Sequence, residues 1–99
     1  MKLLAIEREL SDGAAGDFAP HLAAEASRAW ELYQAGIIRE LYFRADCHEA
    51  VLVLECADIE EAQQMLDTLP LVRESLIAFE LIPLAPYPGF ARLFAVERS

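Results

Sequence analysis

The chain has 99 residues, enough for one domain near the lower end of comfortable size. Seventeen acids against eight bases leave a net charge of −9. That excludes a nucleic-acid or anionic-membrane binder in the ordinary sense, because both are held by basic side chains.

Lys2–Glu9 alternates loosely over the length of a strand. Its Leu, Ala, Glu and Arg would also suit a helix. The Gly, Ser and Asp of 11–17 break any helix there, so a first strand followed by a loop fits better. Phe18–Ala35 is the clearest helix, with Asp17 as N-cap and Pro20 in the first turn, where a missing N–H does little harm. Leu22, Ala26, Ala29, Trp30 and Tyr33 fall on one stripe expected to pack on a sheet, and Glu25, Arg28 and Glu31 take the other side. Gly36 stands at the C′ position, where a left-handed residue ends helices.

Ile37–Arg44 and Ala50–Cys56 read as two strands joined by the polar turn Ala45–Glu49, a connection short enough to force antiparallel pairing. Asp58 and Glu61 make a capping box for a helix over Asp58–Leu69. Pro70 interrupts it, and Leu71–Ser75 adds room for one more turn. Leu76–Leu84 is the fourth strand, and Pro83 and Pro86 exclude a central place for it in the sheet. The last stretch, 84–99, carries Tyr87, Phe90, Leu93 and Phe94, which have no place in a small core and suggest packing on a neighbouring subunit.

The order β-α-β-β-α-β is α+β and ferredoxin-like: one domain over 1–99, a four-stranded antiparallel sheet with two helices on one face. The other face is bare. Hydrophobic residues are 56% of the chain, more than a small domain hides inside itself, so a homo-oligomer is expected, a dimer or a larger ring of dimers. Two such sheets packed face to face make a dimeric α+β barrel. Cys47 and Cys56 form no disulfide framework and no zinc spacing, which fits a reducing, cytoplasmic setting. The N-terminal apolar run is too short for a signal segment or membrane span.

Three features together resemble muconolactone isomerase and its small relatives: the run Gly36-Ile-Ile-Arg39-Glu-Leu41-Tyr42, the acid-capped helix after the hairpin, and Leu69-Pro70-Leu71. The likeness extends from His21 to about Tyr87. It implies a dimeric α+β barrel that assembles into larger rings with an interior pocket, and an isomerase that moves a double bond in an unsaturated lactone. Only Arg39 and Tyr42 match the family's pattern among candidate site residues. The Pro-rich tail, the acidic charge and the turn Asp46-Cys47-His48 depart from it.

Alternation assigns Ile37, Leu41, Phe43, Leu52, Leu54, Ile77, Phe79 and Leu81 to the helix side. It assigns Ile38, Glu40, Tyr42, Arg44, Val51, Val53, Glu55, Ala78, Glu80 and Ile82 to the barrel side, joined by either Glu7 or Arg8. Carboxylates desolvated there would have raised pKa values and could shuttle a proton. Glu40, Tyr42 and Glu55 are the catalytic candidates, with Tyr42 donating to a carbonyl or enolate oxygen. Arg44, Arg39 and Glu80 are the substrate-binding candidates, the arginines holding a substrate carboxylate. These same charges could instead pair across strands in water. His48 beside Cys47, and His21 at the start of the first helix, read as surface residues. No motif implies a nucleotide or metal, so no cofactor is expected. Three functions stay open: a cofactor-independent isomerase acting on a small unsaturated or cyclic acid, a non-catalytic binder of a small ligand, and a plain assembly domain.

Overall fold

A computed structural model of the chain describes residues 1–10 and 18–94. The expected 11–17 loop, with Asp17 as N-cap, and the end of the tail lie outside the described residues. Strand β1 (Lys2–Glu9) leads to a 3-10 turn at Ala19–His21 and helix α1 (Leu22–Gln34). Then come β2 (Ile38–Phe43), β3 (Ala50–Glu55), α2 (Ile59–Leu66), the one-turn α3 (Pro70–Arg73) and β4 (Ile77–Leu84). The four strands form one sheet in the order β2-β3-β1-β4, every neighbour antiparallel. This is the ferredoxin-like α+β arrangement that the element order predicts.

The core lies between the helices and one sheet face. Leu3, Ala5, Leu52, Leu54 and Ile77 supply the sheet side, and Leu32, Ala62 and Leu66 the helix side. Gly36 at φ +80° closes α1, with the Ile37 N–H donating to the Leu32 carbonyl. Asp58 caps α2 by accepting from the Glu61 N–H at 2.8 Å, and the Glu61 carboxylate accepts from the Ala57 N–H at 3.0 Å.

Two sequence-based placements are corrected. The Trp30 and Tyr33 rings stack on each other at 5.7 Å but are 57% and 48% exposed, and Leu22 is exposed as well. The helix has turned so that Glu25, Ala29 and Leu32 face inward, a spacing of i, i+4, i+7 that also makes a helical stripe. The second correction is in β2. Ile38 pairs opposite Leu54 and Glu40 opposite Val53, so Arg39 is the extra residue of a bulge. Ile38 therefore sits in the core, not on the open face, while Glu40 and Tyr42 keep their open-face positions.

That open face carries Leu4, Ile6, Val51, Val53, Ala78 and Ile82, all partly exposed. In the tail, Tyr87, Phe90, Leu93 and Phe94 are exposed, with Tyr87 and Phe90 packed edge to face at 5.1 Å. Among the described residues, no helix is long and apolar enough to cross a membrane.

Candidate functional site

The pairing of β1 and β3 stops at Ile6 and Val51. One residue further, the Ala50 N–H meets the Glu7 carboxylate instead of a main-chain carbonyl, donating to Oε1 at 2.9 Å. Alternation from Leu3 and Ala5 places Glu7 on the helix side, where it is only 6% exposed. Of the two β1 residues left open by the sequence, Arg8 takes the open face and Glu7 the core. Burial is the main cause that pushes the Glu7 carboxyl above its ordinary 4.5; Glu49 and Glu9 push it further up, and the Ala50 hydrogen bond and His48 oppose.

Glu25 approaches from α1. Its Oε1 accepts from the Leu71 N–H at 2.9 Å, filling the role of an N-cap for α3, whose own cap residue Leu69 has no side chain able to serve. Desolvation raises this carboxyl too, with Glu7 adding to the shift. The two acids share a cavity of about 290 Å³ between α1 and the sheet. Ile38, Leu52, Ile77 and Phe79 form its floor, Ala26 and Ala29 its helix wall, and the exposed Leu22 and Phe43 its rim. A mostly apolar cavity with two convergent polar groups has the make-up of a small-molecule site. Two neighbouring carboxyls with raised pKa values can divide the labour, one holding a proton while the other takes one.

Of the residues singled out from sequence, Tyr42 also lines this cavity, and Arg39, Glu40, Arg44, Glu55 and Glu80 lie outside it. Arg39, Glu40 and Tyr42 come together in an open groove of about 670 Å³ along the β2 edge, beside Trp30 and Tyr33. There the Tyr42 hydroxyl donates to Glu40 Oε1 at 2.7 Å, which raises the Tyr42 pKa. The Arg39 Nε donates back to the Gly36 carbonyl. Arg44 is taken up by Asp46 at 2.6 and 2.9 Å and by Glu49 at 3.3 Å. Glu80 pairs with Arg8 at 2.9 Å. Glu55 meets the Met1 amino group at 2.8 Å, which holds its pKa below the ordinary value rather than above it. In the single subunit, Glu55, Arg44 and Glu80 thus line neither concavity. His48 stacks on Phe43 at 4.3 Å, and the Cys47 thiol is pushed up by desolvation and by its hydrogen bond to Glu49, so it is no activated thiolate. Among the described residues, no cluster of three or more His, Cys, Asp or Glu could hold a metal ion.

Comparison with known proteins bears on this geometry. The family described as muconolactone delta-isomerase matches residues 6–89. The crystal structure of a muconolactone isomerase superposes with a TM-score of 0.73 at 22% identity, covering 90% of this chain and 93% of its own. At that identity the likeness establishes the fold alone. No curated protein matches the chain.

Proposed function

The chain belongs to the muconolactone delta-isomerase family, and we propose that it is a cofactor-independent proton-transfer enzyme of the isomerase kind, acting on a small unsaturated or cyclic acid beneath α1. One observation carries the reading: Glu7 and Glu25, both desolvated, open onto one largely apolar cavity. In this reading Glu7, only 6% exposed, holds its proton and hydrogen-bonds the substrate's carbonyl oxygen. Glu25, ionised, takes a proton from the carbon activated by that carbonyl. The electron pair of the broken C–H bond moves into the conjugated system to give a dienolate, whose charge the Glu7 hydroxyl stabilises. Glu25 then returns the proton to the far end of the system, and the double bond has moved with no net gain or loss of atoms. The apolar floor keeps water from competing for the intermediate.

The subunit is half of the working unit in this reading. A second copy covers the aliphatic open face and completes the α+β barrel, the tail from Leu84 lies on a neighbour, and the protein works in the cytoplasm, where Cys47 and Cys56 stay reduced. Glu40, Tyr42, Glu55 and Glu80 then lie at or beside that joint, and their strand pairing makes them a second candidate set for substrate contact. The Tyr42–Glu40 hydrogen bond favours it.

The test is deuterium incorporation into an unsaturated five-membered lactone in D2O, followed by proton NMR. Exchange at the carbon next to the unsaturated system is expected with the parent chain, slowed about 10²–10⁴-fold by Glu25→Gln. Exchange unaffected by Glu25→Gln but abolished by Glu40→Gln would move the chemistry to the open face.

A further inference from the structure

We infer that Arg28 and Thr68 are a positioning pair, holding α1 in the rotation that brings Glu25 over the cavity. This rests on Glu25 being the base proposed above, and it names what keeps that base in place.

Helix α1 is tied at two points to the chain running from α2 into α3. Glu25 and Arg28 stand at i and i+3 on α1, neighbours on one face, and both are half-buried. Facing them are Thr68, in the link between the two helices, and Leu71, the second residue of α3. The Arg28 Nε donates to Thr68 Oγ1 at 2.8 Å, and the Leu71 N–H donates to Glu25 Oε1 at 2.9 Å. The Thr68 hydroxyl gives its single proton to the Met65 carbonyl, so its oxygen turns only lone pairs to Arg28. Arg28 is steadied in turn by Glu31, which accepts from Nη1 at 3.1 Å.

The run Leu69-Pro70-Leu71 fixes where the second tie falls. Leu69 is buried and lines the cavity. Pro70 has no N–H, so Leu71 carries the first donor of α3, and its acceptor comes from α1. One tie alone would let α1 swivel about it, and a second, a turn further along, removes that freedom. Neither Arg28 nor Thr68 lines the cavity or the adjoining groove, so both act through Glu25 and not on a ligand. The charged groups bearing on Glu25 are Glu7 from β1, Arg73 from α3 and His21 ahead of α1.

Thr68→Val keeps the shape of the side chain, deletes the hydroxyl and changes no charge; Thr68→Ser keeps the hydroxyl. Each is compared with the parent chain, as it assembles in solution, by carboxyl-carbon NMR titration without ligand and by deuterium exchange into an unsaturated five-membered lactone. The Leu71 hydrogen bond opposes the upward push of burial on Glu25, so loosening it in Thr68→Val should move the Glu25 titration higher and leave Glu40 unmoved. Exchange at saturating lactone should slow about 10–10²-fold, with little change in the lactone concentration that gives half the maximal rate. Thr68→Ser should restore both. Arg28→Met deletes the same bond from the other side, and combined with Thr68→Val it should be no worse than either change alone. An unmoved Glu25 titration in both Thr68→Val and Arg28→Met, or a shift that Thr68→Ser does not reverse, overturns the inference. A parent chain without exchange, whose Glu25 titration still moves in Thr68→Val and returns in Thr68→Ser, upholds the positioning and removes the proton-transfer reading instead. Exchange by the parent that Thr68→Val leaves at full rate does the reverse.

Discussion

Glu7 is an acid in a place built for an aliphatic residue, and its cost depends on pH. Its folded-state pKa lies above the ordinary 4.5, so between those two values the folded chain holds a proton that the unfolded chain has released. Stability from this group therefore falls as pH rises through that window and stays lower above it. Glu7→Gln keeps an oxygen for the Ala50 N–H and removes the ionisation. The variant should exceed the parent in urea midpoint at pH 8, with the difference vanishing near pH 4; a variant less stable at pH 8 would mean that the charged form is favoured in the fold. The sequence puts Glu25 on the solvent side of its helix and leaves Glu7 as one of two alternatives for the open face of the sheet. The spacing Leu3-Ala5-Glu7 and the spacing Glu25-Ala29-Leu32 were both there to be read, but a charge at the end of an apolar stripe is ordinarily a residue facing water. Only the unpaired Ala50 N–H and the uncapped start of α3, which are tertiary facts, explain why carboxylates sit there.

At the scale of elements, the existence and order of strands and helices follow from local signals: Gly36 as helix stop, Asp58 and Glu61 as cap, Pro70 as break. What local signals left undetermined is rotation. An amphipathic helix with two overlapping apolar stripes can present either, and α1 buries the one with Leu32 while Trp30 and Tyr33 stay outside. Leu32→Ala should then cost about 2–5 kcal/mol in denaturant unfolding at a protein concentration low enough to disfavour assembly. Trp30→Ala under the same conditions should cost far less, and a larger loss from Trp30 would place its ring in the subunit core. The bulge at Arg39 is a second such case, because strict alternation has no means of anticipating one inserted residue. Replacing Asp58 with Ala should cost about 0.5–2 kcal/mol, the worth of an N-cap, read from the same unfolding curves.

The whole subunit is elongated, with extents of 65 × 28 × 20 Å and a radius of gyration of 17.2 Å. A compact domain of about 100 residues would have about 13 Å. The aliphatic sheet face and the tail of exposed aromatics on so extended a chain are the surfaces that the proposed assembly would cover. Truncation after Leu84 should shift the mass measured by light scattering toward smaller species; an unchanged mass would return the tail to its own subunit. The site does not depend on that outcome, since Glu7, Glu25 and the floor beneath them all belong to one chain. The most direct test of the account is therefore a carboxyl-carbon NMR titration of the glutamates, with and without an unsaturated five-membered lactone. Glu7 and Glu25 should titrate above 4.5 and move when the lactone binds, leaving Glu40 and Glu80 where they were. Movement of Glu40 and Glu80 with Glu7 and Glu25 unmoved would contradict the account and place the ligand on the open face of the sheet.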